Sequence, residues 1–382
     1  MDVDWKPHAR RLAESVTDPV SRWREPVTAI PRHLFVPRWW HWRDPGGWTP
    51  GDGPADEAAW MATAYRDDVS VTTRIGALHA DHAQAGDQPS GRPTSSATMP
   101  RLVLRMLRHL RVYEGADILD VGTGSGYSTA VLARRLGEDR VTSIDVDPYL
   151  TAAAGERLNA TGLHPQVVTC DATGPLPGTY DRIVSMVSVR PLPASWLAAL
   201  RPGGRLVTTI TGMTVIITAV KDTGGGATGQ VEWDRAGFMT TRTGDDYPPG
   251  PPQEVPAALR DREGEQVSRG RYPVLNLGGA WELKSVLAIR SPGIEDWYEY
   301  TADGQQTAWL LHPDRSWARA TAMKADAPVV HQGGPRRLWD ILDDLRGYWL
   351  ERGYFQLYGA NVSITPDGTI HLASGHWRAT IT

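Results

Sequence analysis

The run Ile118-Leu119-Asp120-Val121-Gly122-Thr123-Gly124-Ser125-Gly126-Tyr127 constrains the fold more than any other stretch of the chain. An apolar strand ends on an acid, turns through three glycines and opens a helical pattern. Ser143-Ile144-Asp145-Val146-Asp147 follows about one helix later. Strand, turn and helix repeated in this way build a doubly wound α/β sheet, whose ligands lie beyond the carboxyl ends of the strands.

The alternation continues. Strands are predicted at 117–121, 140–145, 166–170, 181–187 and 204–211, with helices near 126–136, 148–161 and 193–200. Two further strands, near 213–220 and 230–234, are joined by Thr223-Gly224-Gly225-Gly226 and read as an antiparallel hairpin at the sheet edge.

Three predicted strand ends carry acids. Asp120, ahead of the glycine turn, is placed to meet a cationic amino-acid group. Asp145 is placed to accept hydrogen bonds from ribose hydroxyls. Asp171 is placed to meet an adenine amino group. A dinucleotide site would read G-x-G-x-x-G, but Tyr127 stands at the position of the third glycine. The pattern therefore predicts S-adenosyl-L-methionine (SAM), with S-adenosyl-L-homocysteine as its product. The expected cofactor-binding set is Asp120, Gly122, Thr123, Gly124, Ser125, Gly126, Asp145, Val146, Asp171 and Ala172. Leu200-Arg201-Pro202-Gly203-Gly204-Arg205-Leu206 ahead of a later strand fits the same core.

The net charge of −4 argues against nucleic acid as the main partner. No apolar run approaches membrane-spanning length, and the N-terminus has no secretory signal pattern. The single cysteine, Cys170, excludes an internal disulfide and suits a reducing, cytoplasmic setting. His79 and His82 have metal-ligand spacing but no evident third ligand, so no metal is expected. Oligomeric state is open.

The flanks differ from the middle. Of the 16 tryptophans, only Trp196 lies between Trp60 and Trp233. Residues 7–43 read as mostly helical and 44–57 as a loop. A short extended piece is expected near Asp68–Ile75, then a polar loop from His79 to Thr94. Pro100 to Leu110 reads as an amphipathic helix. Residues 243–257, rich in Pro, Gly and Asp, read as a linker. Beyond them, turn signals separate apolar strands, and one helix is predicted between Pro335 and Gly353. The resulting division is 1–95, an N-terminal helical extension with substrate-side loops; 96–242, the core; 243–257, the linker; and 258–382, a small α+β domain.

Pro31-Arg32-His33-Leu34-Phe35-Val36-Pro37, Thr98-Met99-Pro100 and the glycine run together resemble protein-L-isoaspartyl O-methyltransferases over roughly residues 7–240. The resemblance implies a Rossmann-like class I SAM-dependent methyltransferase core. It also implies a hydroxyl at Thr98 that contacts the reacting carboxylate, with helix N-capping as the competing or additional role. Ser95, Ser96, Met99, Tyr127 and Arg190 are expected around the substrate. Arg190 would steady an acidic substrate, or else is a solvated loop arginine.

The chain departs from the repair enzymes at Ser185–Pro193, where only Pro193 matches well, in the insertion between His79 and Thr94, and in its C-terminal third. The whole pattern, including Val329–Asp340, looks like variants that act on ribosomally made, modified peptides (graspetides or lanthipeptides). That likeness implies methylation of an aspartate in a macrocyclic precursor, with collapse of the ester to an aspartimide that persists or hydrolyses to isoaspartate. General isoaspartyl repair, a small-molecule O-methyltransferase and a non-enzymatic peptide-binding module are the alternatives. The aromatic residues Trp309, Trp317, Trp339, Trp349, Tyr354 and Phe355 would form the C-terminal core or contact the precursor.

Overall fold

Apolar, β-branched runs between helices order the middle of the chain into a parallel sheet. The computed structural model describes residues 4–43, 47–243 and 254–382. Its parallel strands are Ile118–Val121 (β1), Val141–Asp145 (β2), Gln166–Thr169 (β3), Tyr180–Val189 (β4) and Leu200–Ile210 (β5). The associated helices are Pro100–Leu110 (α1), Tyr127–Leu136 (α2), Pro148–Ala160 (α3) and Ala194–Ala199 (α4). These match the predicted elements to within a few residues.

Helix α1 starts at Pro100, whose missing N–H costs nothing at a first helical position. It buries Leu102, Val103, Met106, Leu107 and Leu110. Each such side chain contributes about 1.5–3 kcal/mol of burial. Together they pin the start of α1, and Thr98 just before it, against the sheet.

The hairpin Ile216–Lys221 (β6) and Ala227–Val231 (β7) forms as predicted, its turn held by the Gly224 and Gly226 amides on Asp222 Oδ1. It is not the sheet edge. Asn361–Ile364 (β8) pairs with β7, and Ile370–Ser374 (β9) and Trp377–Ile381 (β10) extend the sheet further. The ten strands run β10-β9-β8-β7-β6-β5-β4-β1-β2-β3. Val362, Ile364, Ile370, Leu372 and Ile381 share one core cluster with Leu119, Val121 and Ile144.

Residues 258–382 are therefore not a separate domain. Their last strands complete the methyltransferase sheet, and only the part before β8 builds a second layer. That part is an antiparallel five-stranded sheet of Gln266–Arg269, Val329–Gly333, Trp317–Met323, Gln305–Leu311 and Glu295–Tyr300, in that order. Its longer helices are Trp281–Arg290 (α5, not anticipated) and Leu338–Arg352 (α6, as predicted), besides the short helix Ala257–Arg260. Of the predicted linker, 244–253 lie outside the described residues. Its end is packed: Val255 is buried with Trp297, Trp309 and Trp317. Trp309, Trp317, Trp339 and Phe355 are core residues, whereas Tyr354 is 51% exposed.

The N-terminal extension is helical only in part. Lys6–Val16 and Arg24–Ala29 are α-helices, and Arg32–Phe35 is a 3-10 turn. Arg38–Arg43, read as helix, and Gly47–Asp52, read as loop, pair as strands. With Val71–Ile75, Leu78–His79 and Pro93–Ala97 they make a five-stranded antiparallel sheet. The aromatic residues Trp39, Trp40 and Trp42 suit a strand, and the partner strand supplies the hydrogen bonds that a helix would otherwise make internally. The extended piece near Asp68–Ile75 is present as Val71–Ile75. The polar loop after it is half structured. Asp81 is tied to Arg157 and to the Tyr149 hydroxyl at 2.8 Å, both on α3. His79 is buried, which pushes its imidazole down to about 4 and keeps it neutral.

Candidate active site

The strand order reverses between β1 and β4, and a cavity of about 260 Å³ opens at the carboxyl ends of those strands. On one side lies the glycine turn. Gly122, Gly124 and Gly126 all have positive φ, at 92°, 50° and 91°. A Cβ on Gly122 would stand 2.9 Å from a Val187 methyl carbon, so glycine is required there both for conformation and for space.

Asp145 ties this turn to the end of β2. Its carboxylate accepts from the Gly124 amide at 3.0 Å and from the Asp147 amide at 3.2 Å. Burial pushes its pKa up, while the Gly124 amide and the charges of Arg242 and Arg74 pull it back. Thr123, Ser125, Asp145, Val146 and Ala172 line the cavity with Gly122 and Gly124. The Ala172 carbonyl is fixed by the Trp196 indole N–H at 2.7 Å.

Three expected cofactor residues stand apart. Asp120 does not line the cavity and is 0% exposed. It accepts from the Ser128 and Thr129 hydroxyls at 2.8 and 2.9 Å, both on α2. Burial pushes its pKa up to about 6, against those two hydrogen bonds. Its link to the cavity runs through Ser128, which does line it. Gly126 is the N-cap of α2 and faces Ala154 and Phe35. The Asp171 carboxylate is turned onto Thr173, accepting from its amide and hydroxyl at 2.8 and 2.7 Å.

The opposite wall comes from the N-terminal sheet and α1. Ser95, Ser96, Thr98, Met99 and Tyr127 all line the cavity. Met99, not Thr98, is the N-cap of α1, and no side-chain cap bond is made. The capping role expected for Thr98 is absent, and the residue lines the cavity. Arg190 is elsewhere: its guanidinium donates to the Ala288 carbonyl of α5 at 3.0 Å. It fastens the C-terminal part to the core and does not line the cavity.

Two contributions had no signal in the sequence. Ser70 lines the cavity and accepts from the Met99 amide at 3.1 Å, holding the turn into α1. Residues 237–242 cross the cavity beside the end of β4. The Ser188 amide donates to Met239 O, and the Thr241 amide returns to Ser188 O, each at 2.8 Å. No motif marks this segment; only the hairpin before it sets its course.

A glycine cradle, a partly buried acid at the second strand end and an apolar floor fit a bound nucleoside sulfonium. Comparison with known proteins identifies the class. The family model of protein-L-isoaspartate(D-aspartate) O-methyltransferase matches residues 80–239. The protein-L-isoaspartate O-methyltransferase of Anaeromyxobacter dehalogenans is 34% identical over 165 residues, which are 39% of this chain and 77% of that protein. The chain belongs to the protein-L-isoaspartate O-methyltransferase family.

The protein-L-isoaspartate O-methyltransferase 2 of Archaeoglobus fulgidus is 25% identical over 249 residues, covering 63% of this chain and 95% of its own length. A solved protein-L-isoaspartate O-methyltransferase structure overlays with a TM-score of 0.47 at 15% identity, covering 99% of both chains. This family member is a SAM-dependent carboxyl O-methyltransferase with a class I methyltransferase core. No helix among the described residues is long and apolar enough to cross a membrane.

SAM held by the glycine turn and Asp145 would supply a sulfonium-activated methyl group, with a neutral thioether as the leaving group, to a carboxylate oxygen. The carboxylate is already ionised near neutral pH, so the chain needs no general base. Methyl transfer asks of a protein that it hold two reactants in line and exclude water. The glycine turn and Asp145 line one side of the cavity, and Ser95, Ser96 and Thr98 line the other.

Proposed function

We propose that this methyltransferase acts on an aspartyl side-chain carboxylate in a modified, macrocyclic ribosomal precursor peptide. A carboxylate oxygen takes the methyl group to form the ester, and the sulfonium sulfur leaves as a thioether. The next residue's amide nitrogen then attacks the ester carbonyl, expels methanol and leaves an aspartimide, which persists or hydrolyses to isoaspartate. The observation that supports this reading is the region outside the family match. The family model stops at residue 239, yet β8, β9 and β10 are built into the same sheet as the cofactor site. That investment suits a substrate other than any damaged protein.

Incubation of the full chain with SAM and a cyclised precursor should add one methyl and then lose methanol, read by mass spectrometry. Absence of any mass change on cyclised aspartyl peptides would remove this reading. The second reading is general isoaspartyl repair, favoured by the activity named for the curated relatives. It predicts turnover of unrelated linear isoaspartyl peptides.

A further inference from the structure

Arg32 is 0% exposed, on the 3-10 turn Arg32–Phe35. Its Nε donates to the Ala64 carbonyl at 2.7 Å, at the end of the helix Glu57–Ala64. Its Nη2 donates to the carbonyls of Ala97 and Thr98, at 3.4 and 3.0 Å. The guanidinium carbon lies 4.3 Å from the centroid of the Tyr127 ring. Its Nη1 is buried without a hydrogen-bond partner.

Such an arrangement is costly. A buried cation is normally compensated by a carboxylate. Here its partners among the described residues are three carbonyls, the Tyr127 face and the nearby Tyr65 phenol, and none carries a full charge. A purely structural clamp would gain from a neighbouring acid. The omission makes sense if an anion reaches this neighbourhood only during function. The carbonyl contacts place the charge at Thr98, where the strap enters the cavity. The ring contact places it behind Tyr127, the first residue after the glycine turn. Arg32 itself does not line the cavity, whereas Thr98 and Tyr127 do.

We propose that Arg32 is a positioning residue for methyl transfer. It locks the Thr98 strap and the Tyr127 end of the glycine turn in one register, and its uncompensated charge selects a carboxylate over a neutral group at the Thr98 end. The proposal rests on carboxyl methylation as the reaction and holds for either an aspartyl or an isoaspartyl acceptor. The two functions separate chemically. Lysine keeps the charge but loses the planar fork that spans the carbonyls. Methionine loses both.

The test uses the full chain as wild type, Arg32→Lys and Arg32→Met. The probes are linear and lactone-cyclised peptides carrying aspartate or isoaspartate, each with a counterpart whose carboxylate is a carboxamide. Affinities are measured with S-adenosyl-L-homocysteine present, on the carboxylate peptide that wild type binds most tightly. Wild type should prefer it over its amide by roughly tenfold or more, the scale of one charge–charge interaction at a partly screened site. Arg32→Met should erase that preference while leaving amide affinity unchanged. Arg32→Lys should keep the preference but lose about 10²-fold in kcat through misalignment. Equal weakening of both peptides in Arg32→Met, or no change in either, would overturn charge selection.

A second measurement does not depend on the acceptor. In Arg32→Met, hydrogen exchange at Ala97–Met99 and Tyr127–Ser128 should quicken by about tenfold or more, while α3 stays protected. Unchanged exchange there would overturn the positioning role. If wild type binds none of the peptides, the proposed substrate is wrong, and the exchange measurement still decides the role of Arg32.

Discussion

The Ser128 hydroxyl, at the cavity wall, donates across 2.8 Å to the carboxylate of Asp120, which is wholly inside the core. A carboxylate held there has a folded-state pKa of about 6 against a reference of 3.8, with burial as the main cause. Between those values the folded chain holds the proton more tightly than the unfolded chain does. This residue's contribution to stability is therefore most favourable below about pH 4. It falls as pH rises towards about 6 and is constant above that. Asp120→Asn should gain stability relative to wild type on going from about pH 4.5 to about pH 7, by up to about 2 kcal/mol. Denaturant unfolding of the apo protein at both pH values checks this. Parallel shifts would show that Asp120 is ionised throughout.

Thr98 makes no side-chain cap to α1 and lies at the cavity. Thr98→Ala should therefore leave thermal stability nearly unchanged and lower kcat by about 10²-fold, the usual cost of a misaligned reactant. Thr98→Ser should recover most of the rate. A large fall in melting temperature for Thr98→Ala would point instead to a structural role.

Arg190 offers the opposite split. Its hydrogen bond to the Ala288 carbonyl joins the end of β4 to α5. Arg190→Ala should cost roughly 1–2 kcal/mol in stability. The KM for an acidic peptide should stay within about twofold, because no charge is removed from the cavity. A KM that rises by tenfold or more with unchanged stability would restore the substrate-binding role.

Truncation after residue 243 removes β8, β9 and β10 and bares the edge of β7. Val362, Ile364, Ile370, Leu372 and Ile381, each no more than 2% exposed, leave the core with them. At about 1.5–3 kcal/mol for each side chain, the loss approaches or exceeds the whole stability of a typical domain. The truncated chain should be insoluble or unfolded by circular dichroism. A folded, active fragment would show that the C-terminal strands only decorate the sheet.

Gly122 admits little else. Gly122→Ala combines a positive φ with a contact of 2.9 Å to Val187. It should weaken SAM binding by at least about tenfold, because the turn must shift where it approaches the ligand. Calorimetric titration with SAM gives the answer; unchanged affinity would show that the turn can absorb a side chain.

The sequence made the parallel core legible because its signals are local. Asp120 to Tyr127 carries strand, turn and helix within ten residues, and each later strand follows its helix at short range. Direction was harder to read. Asp120 and Asp171 are acids at strand ends, but a carboxylate turns towards the nearest donors. Ser128 and Thr129 captured the first, and Thr173 the second. Non-local pairings left no mark. Ala227 pairs with Ile364, and Pro93–Ala97 pairs with Val71–Ile75 across the insertion. The Arg38–Arg43 strand has a near partner in Gly47–Asp52, but adjacent buried Trp39 and Trp40 break the alternation that would have marked it. Ser70 and residues 237–242 reach the cavity through non-local placements, so no spacing rule could have picked them out.

The pairing of β7 with β8 has a consequence for synthesis. A ribosome delivers the glycine turn, the hairpin and the second sheet before it delivers Asn361–Ile364. During that interval β7 presents an unpaired edge, the kind of surface that recruits other chains. Closing a loop of more than a hundred residues is also entropically slow. Newborn copies should therefore need shielding until their final strands emerge, and expression in cells short of chaperones should yield aggregates long before it yields a catalyst.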